Sequence, residues 1–418
     1  MLVSLDRDYL QKNFKEIIRG KDFIDYIKHP LELLQIISEL GEQGTRIGEA
    51  KRALARAANP IDAAFASREV TLDFSRIGAK TKAINAIIAF WNANVQGMDK
   101  MVRSFKEKPL RTMVKTLVGI TLPSILLYYA NRKDKRWKEI PQWQKNLFWI
   151  VMTDKHIYRI PKPFELGILF GSVPERILEY IDNKDSNVFN SLEQSILNGA
   201  TPGFIPTALS PIIENTTNYS FFRNRKIVPE GKIDLPSEAQ YTQYTSEFSK
   251  IMGQLIKYSP AKIDNLIQGY FAGLGNYAIS AADLILEGKG NSIKPARGLE
   301  DYPILKAFMI REPIGSGSES VNRFYDKFDE ANSSKVFYND LEKQGKKEEA
   351  RQYLSDHPEI KTARYYGEIR QDLSNINKKI QRIYNDKNLS ADDKKQRIDQ
   401  LNKLITDIAH RAIEIKIR

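Results

Sequence analysis

The sequence predicts a mainly α-helical protein: a multi-helix domain with one small β-hairpin at about residues 148–160 and a C-terminal antiparallel helical hairpin. Apolar residues recur at helical spacings of three and four over most of the 418 residues. The last 84 residues carry two heptad seams, and only one short segment reads as paired strands. Length and pattern divide the chain into N-terminal helices over 1–58, a helical core module over 59–331 and a coiled-coil-like hairpin over 335–418.

The first half of the chain alternates clear helices with one hairpin. Residues 31–58 have helical composition but include Gly41, Gly44 and Gly48, which predict a break or a close approach by another backbone. Residues 82–106 place apolar side chains at helical spacing. Two β-rich runs flank residues 153–156, which predicts the hairpin. A helix over 164–181, interrupted at Pro174, follows it.

The second half opens with a loop-rich crossing and ends in the helical hairpin. Five prolines between residues 199 and 236 exclude long regular elements there. Helices are predicted at 237–257, 260–287 and 319–331. The two heptad seams, 369–383 and 398–415, flank a turn at 385–388, and Ser390 with Asp393 forms a capping-box-like start for the second helix. The hairpin is completed either by a partner chain or by the body of the protein.

Composition excludes several classes of chemistry. The chain has no cysteine, which excludes disulfides, thiolate zinc sites, iron–sulfur clusters and cysteine nucleophiles. The four histidines are scattered and share no metal-ligand spacing. Glu319-Ser320 resembles the Glu-Ser pair of lytic transglycosylases, but helix capping by residues 317–320 is the preferred interpretation. We therefore predict no enzyme, and no catalytic, cofactor-binding or metal residue. An N-terminal apolar region typical of a secretory signal is also lacking.

The net charge of +12 is concentrated in one stretch. Residues 100–162 contain fifteen lysines and arginines and only four acidic residues, and all four tryptophans lie in or near this stretch. A surplus of this kind favours polyanions such as nucleic acid or anionic lipid. The predicted polyanion-binding residues are Lys100, Arg103, Lys106, Lys108, Arg111, Arg132, Lys133, Lys135, Arg136 and Lys138.

The basic residues flank the most apolar run of the chain, Thr116 to Ala130. Fifteen helical residues span about 22 Å, less than the ~30 Å hydrocarbon core of a bilayer, and Pro123 predicts a kink. We prefer a buried core helix, because apolar runs of this length are more often core than membrane. The alternative is a segment that inserts into a bilayer or its interface. Either way, the apolar contacts are predicted to come from Leu117, Val118, Ile120, Leu122, Ile125, Leu126 and Leu127.

Several separated strings resemble one protein family. They are TRIGE (45–49), SREVTLDFSRIG (67–78), FWNANVQG (90–97), RIPKPFELG (159–167), PER (174–176), NYSFFRNRKIVP (218–229) and TSE (245–247). Together they look like the large polyvalent protein-associated domain numbered thirty-eight, over roughly residues 30–330. The resemblance implies a helical module of very long phage and conjugative-element proteins, which are carried in the virion and delivered with the genome. It implies no catalytic residues.

Polar residues within these strings suggest either structure or binding. An internal polar network that fixes helix packing is the preferred interpretation. Its predicted members are Arg46, Glu49, Arg68, Asp73, Arg76, Asn92 and Gln96. In the alternative, Arg68, Arg76 and Arg103 grip phosphates.

Three functional hypotheses follow. The leading one is a non-enzymatic phage virion or ejection module whose basic, aromatic and apolar stretch contacts membrane or DNA during genome entry. The second is a sequence-nonspecific nucleic-acid-binding protein. The third is a peptidoglycan-degrading enzyme fragment acting through Glu319. The expected partners are virion or ejection proteins, other domains of a larger polyprotein, DNA, the host membrane and further copies of the chain. The expected location is the virion and then the host cell, and no cofactor is expected.

Overall fold

The computed structural model of the chain describes residues 30–56, 59–70, 91–200, 206–221, 225–233, 235–242, 245–287, 294–302 and 305–414. The predicted fold class is confirmed, because helices dominate and the strands form two small antiparallel sheets. The chain divides into two compact units, Met1–Lys100 and Met101–Arg418. That division does not coincide with the predicted boundaries at residues 58 and 331.

The described part of the first unit is helical. Helix α1 spans Pro30–Ala55 and α2 spans Pro60–Glu69. Helix α3, Trp91–Glu107, begins in the first unit and ends in the second. The break predicted as one consequence of the α1 glycines is absent, because the helix is continuous. Among the described residues, a Cβ at Gly41, Gly44 or Gly48 would meet nothing within 4 Å. Each glycine costs only about 1 kcal/mol, which a long helix tolerates. The first part of the predicted 82–106 helix, to residue 90, lies outside the described residues.

The second unit contains fourteen further helices within the described residues. The first group is α4 (Pro109–Asn131), α5 (Lys135–Glu139), α6 (Gln142–Leu147), α7 (164–183) and α8 (Asn187–Ala200). The second is α9 (Ser210–Thr217), α10 (Glu230–Ile233), α11 (Glu247–Ile256), α12 (Pro260–Glu287) and α13 (Leu305–Phe308). The last is α14 (Glu319–Lys343), α15 (Lys347–Asp356), α16 (Ala363–Asn385) and α17 (Ala391–Glu414).

The predicted β-hairpin is present. Strand β1 (Phe148–Met152) pairs with β2 (Ile157–Pro161) in an antiparallel register that sets Ile150 opposite Arg159. A third strand was not predicted: Met309–Ile310, the fifth strand in chain order, pairs with the free edge of β2. Two residues carry too little periodicity to be recognised as a strand. The other sheet pairs β3 (Tyr219–Ser220) with β4 (Arg225–Lys226), within the crossing predicted to be loop-rich.

Prolines in α4 and α7 neither end nor interrupt these helices. Each is preceded by a π-helical turn, Leu117–Thr121 before Pro123 and Ile168–Ser172 before Pro174. Proline has no N–H for the carbonyl four residues earlier. For Pro174 that carbonyl belongs to Phe170, and the hydroxyl of Thr121 donates a 2.6 Å hydrogen bond to it. The two helices therefore pack through a bond that replaces the one lost to proline.

Replacing Thr121 with valine tests this contact. Valine keeps the volume of threonine but leaves the carbonyl of Phe170 without its donor, so we expect the free energy of unfolding to fall by about 1–3 kcal/mol. Urea denaturation followed by tryptophan fluorescence measures the loss. Thr216→Val is the control, because the hydroxyl of Thr216 is exposed and bonds only a carbonyl of its own helix. An equal loss in both variants would contradict the role given to Thr121.

The C-terminal hairpin is confirmed and is completed by the body of the protein. Helices α16 and α17 are antiparallel, and Ser390 caps α17 by accepting from the N–H of Asp393. Their seam shares a core with α14, in which Phe324 contacts Tyr366 with ring centroids 5.8 Å apart. Helix α14 runs twelve residues beyond the predicted end at 331, and its apolar side chains supply the third side of a three-helix bundle.

Candidate membrane-docking surface

One face of α4 is buried and carries three polar side chains. Thr116, Ser124 and Asn131 are buried on one face, together with Ile120 and Tyr128, at successive spacings of four, four, four and three. The hydroxyl of Ser124 accepts a 2.7 Å hydrogen bond from the indole N–H of Trp149, and the amide of Asn131 donates a 2.7 Å bond to the carbonyl of Ile150. These bonds fix the polar face to the hairpin.

The opposite face of α4 is exposed and largely apolar, and Lys115 is exposed within the same length of the helix. Leu110 is 78% exposed, Val118 61% and Leu126 60%. Only 22% of its most apolar 18-residue window is buried, although α4 is long and apolar enough to cross a membrane by length and composition. Of the predicted apolar residues, Ile120 is buried, Ile125 and Leu127 are half-buried, and the rest are exposed. The preferred prediction, a buried core helix, is therefore wrong for this face of α4, which is exposed to solvent. The exposed apolar stripe consists of Leu110, Met113, Val114, Leu117, Val118, Leu122, Leu126 and Tyr129.

Basic side chains lie at both ends of the stripe. Lys106, Lys108 and Arg111 are exposed near its N-terminal end, and Lys133, Lys135 and Lys138 are exposed beyond its C-terminal end. None of these six has a hydrogen-bond or ion-pair partner within the described part of the chain. Their charges are therefore available to an anionic surface.

Four of the ten predicted polyanion-binding residues have partners inside the protein. Arg132 pairs with Asp182 at 2.6 Å, and Arg136 pairs with Asp134 at 2.6 Å and Glu312 at 3.0 Å. In the first unit, the ammonium group of Lys100 donates to the carbonyl of Val70. Arg103 is half-buried and also has a partner. Asp182 and Glu312, which are distant in the sequence, and the neighbouring Asp134 therefore neutralise part of the positive charge of Arg132 and Arg136.

The interior beneath α4 holds a cluster of five buried charges that sequence reasoning missed. We call it the buried charge cluster: Lys145, Lys162, Glu175, Arg176 and Glu179. Arg176 contacts Glu175 and Glu179 at 2.5 Å each, Lys162 contacts Glu175 at 2.7 Å, and Lys145 contacts Glu179 at 3.3 Å. Burying charges is costly unless they are paired and hydrogen-bonded, as these are. Helix α6, helix α7 and the residue that follows strand β2 thus contribute the paired charges.

The protonation of this cluster follows from its pairing. Burial alone would raise the pKa of Glu179, but the neighbouring charges of Lys145 and Arg176 outweigh it and lower the pKa to about 2. Burial lowers the pKa of Lys145 and Lys162, and the paired glutamates oppose that effect. Three residues of the cluster, Lys162, Glu175 and Arg176, lie within the strings RIPKPFELG and PER that carry the family resemblance. The charged residues next to the prolines of these strings are the feature of the sequence that could have indicated the cluster.

Among the described residues, the polar network predicted further toward the N-terminus includes local contacts along α1 and α3. Arg46 pairs with Glu42 and Glu49 with Arg52 along α1, and the amide of Gln96 donates to Asn92 along α3. Asp73 and Arg76 lie outside the described residues. Arg68 is half-buried near the end of α2.

Glu319 lies at the start of α14, where capping is the confirmed role of the segment. Ser318 is the N-cap and accepts from the N–H of Val321 at 3.3 Å. The carboxylate of Glu319 accepts from the backbone N–H of Gln142 at 3.2 Å, and burial raises its pKa. The hydroxyl of Ser320 lies 2.9 Å from Glu139 and 3.1 Å from the Nδ1 of His410. These contacts join α14 to α5, α6 and α17.

A cavity of about 1050 Å³ in the second unit has charged walls. The guanidinium of Arg159 spans part of it and donates to the carbonyls of Lys306 and Ala307 at 2.8 and 3.0 Å. Arg311 pairs with Asp301, and the carboxylate of Asp264 accepts from the hydroxyl of Ser246 at 2.6 Å. Burial raises the pKa of Asp283 and lowers that of Lys306. These contacts tie the walls of the cavity to each other, and we assign no ligand to it.

Comparison with known proteins identifies one domain. Residues 134–305 match the family model of large polyvalent protein associated domain 38, the family that the sequence strings resemble. The match covers strands β1 to β4, helices α5 to α12 and the buried charge cluster, and the strings at 45–49, 67–78 and 90–97 lie outside it. No curated protein and no solved structure matches the chain. All of α4 precedes the matched residues, whereas the hairpin and α7 that hold its polar face lie within them.

Proposed function

We propose that this chain, whose residues 134–305 match a domain of large polyvalent proteins, is a non-enzymatic phage virion or ejection module that docks on an anionic membrane through α4. The observation that carries the proposal is the polarity of α4, which bonds Ser124 and Asn131 to the hairpin and leaves its apolar stripe in solvent. Arg111 and Lys115 of the same helix are exposed as well. Water disfavours such a stripe, and an apolar environment favours it. The exposed basic residues at both ends complement lipid phosphates.

The geometry favours docking within the interface over crossing the bilayer. Helix α4 has 23 residues and is long enough to span by composition. Its polar face, however, is bonded to β1 through Trp149 and Ile150 and to α7 through Phe170. Crossing would require breaking those bonds or taking the hairpin into lipid, where unpaired polar groups cost several kcal/mol each. A helix lying along the interface keeps every bond and still buries the stripe.

Docking during genome entry would suit a protein that the virion delivers into the host. Virion and ejection proteins, or other domains of a larger polyprotein, would bring the module to the membrane, and the basic residues at the ends of α4 would orient it on the anionic leaflet. Transport of DNA is not required for this step.

Flotation with lipid vesicles tests the proposal. The full chain is expected to float with vesicles of phosphatidylcholine containing roughly one third phosphatidylglycerol and to remain at the bottom with phosphatidylcholine alone, because each basic residue near an anionic surface contributes about 1 kcal/mol. The triple variant Lys106→Gln, Lys108→Gln, Arg111→Gln should lose about 3 kcal/mol, roughly a hundredfold in partitioning.

A variant with the same net charge provides the control. Lys335, Lys347 and Lys361 are exposed and lie on α14, on α15 and between α15 and α16, so their replacement by Gln should leave flotation unchanged. Failure of the wild-type chain to float with the anionic vesicles would overturn membrane docking. If the wild-type chain does not float but binds duplex DNA, and the triple substitution abolishes that binding, the basic residues near α4 form a nucleic-acid-binding surface instead.

A further inference from the structure

The outer side of the C-terminal hairpin carries a groove of about 570 Å³ between α16 and α17. We call it the hairpin groove. The residues that line it include Lys379, Arg382, Ile383, Arg397, Leu401 and Leu404. Its floor is apolar. Ile383 and Leu401 are half-buried and pack against the core of the three-helix bundle, whereas Leu404 is exposed. The floor is therefore held rigidly by the bundle, and its apolar surface remains uncovered.

Three cations form the rim of the hairpin groove. Lys379, Arg382 and Arg397 are exposed, and none of them has an ion-pair or hydrogen-bond partner among the described residues. Nearby residues differ in this respect: Lys395, one helix turn before Asp399, pairs with it at 2.6 Å. Positive charge thus accumulates around an apolar floor without internal neutralisation.

We propose that the hairpin groove binds an acidic amphipathic helix of another polypeptide. Two antiparallel helices present a groove in which a further helix packs as in a four-helix bundle, with apolar residues at i, i+3, i+4 and i+7 on the floor. The rim cations select acidic side chains beside those apolar ones and reject basic ones. Duplex DNA would contact the rim cations but would leave the apolar floor uncovered. An apolar floor together with a cationic rim therefore favours an amphipathic helix as the ligand. This surface is separate from α4, and the proposal does not depend on membrane docking.

Fluorescence anisotropy with the full chain and two designed peptides tests this inference. The acidic probe is a labelled helical peptide of about fifteen residues with leucine at the four seam positions and glutamate beside them. The basic probe has lysine in place of each glutamate. We expect the acidic probe to bind at least about tenfold more tightly than the basic one, because like charges at a binding surface are repulsive. The double variant Arg382→Glu, Arg397→Glu should reverse that preference.

The control variant, Lys335→Glu with Lys361→Glu, makes the same change in net charge away from the hairpin groove and should keep the original preference. Both rim substitutions are at exposed positions, and an unchanged circular dichroism spectrum verifies folding. If neither probe binds, or if the charge reversal leaves the preference as it was, the proposal is wrong. Duplex DNA that binds the wild type and not the rim variant, with no peptide bound, would also overturn it.

Discussion

Replacing Arg176 with methionine is expected to lower the free energy of unfolding by about 3–5 kcal/mol. Arg176 is fully buried, and its guanidinium contacts Glu175 and Glu179 at 2.5 Å each. Methionine fills much of the volume but leaves two buried carboxylates with less positive charge, and uncompensated buried charge is among the largest single causes of destabilisation. Urea denaturation of the full chain, followed by the fluorescence of Trp137 and Trp143, measures the loss, since Trp137 lies beneath Lys145 and Arg176.

The matched control for this experiment is a surface ion pair. Arg364 pairs with Glu368 at 3.0 Å one turn along α16, and both side chains are exposed. Arg364→Met should change the free energy of unfolding by less than about 1 kcal/mol, because exposed pairs are screened by water. A loss of the same size in both variants, or none at Arg176, would show that the buried charge cluster does not hold α7 in place.

Much of this fold could be predicted because its periodicity is local. The heptad seams of α16 and α17, the β1–β2 hairpin and the long helix α12 all follow from spacings within one segment. The elements missed depend on distant residues. Strand pairing at Met309–Ile310 exists because β2 offers a free edge, and the continuity of α4 past Pro123 comes with the π-turn that precedes it.

The sequence was enough to predict which residues form the candidate surface, but not which face of α4 is exposed. The composition of the chain identifies the apolar run and its basic flanks, and the length of the run predicts a buried core helix. The residues that determine which face is buried are Ser124 and Asn131, whose partners, Trp149 and Ile150, lie 25 and 19 residues further along the chain. The polar stripe at 116, 124 and 131 was visible in the sequence, but a stripe alone does not reveal which side of a helix faces the core. The pairing of Arg132 with Asp182 is likewise a long-range contact.

Replacing Val118 with aspartate is expected to reduce partitioning onto anionic vesicles by about ten- to a hundredfold. On docking, the valine side chain would move from water into lipid, and losing that transfer costs about 1.5–3 kcal/mol. Val118 is 61% exposed at the centre of the apolar stripe, so the substitution leaves the core intact. Leu126→Asp, placed two turns further on, should act in the same direction, and the double variant should abolish flotation. The control is Val336→Asp on α14, which makes the same chemical change at a side chain that is 52% exposed and away from the stripe. Equal loss in the Val118 and Val336 variants would mean that added negative charge alone weakens binding, whereas a loss confined to Val118 and Leu126 would require that the apolar face of α4 enter the lipid.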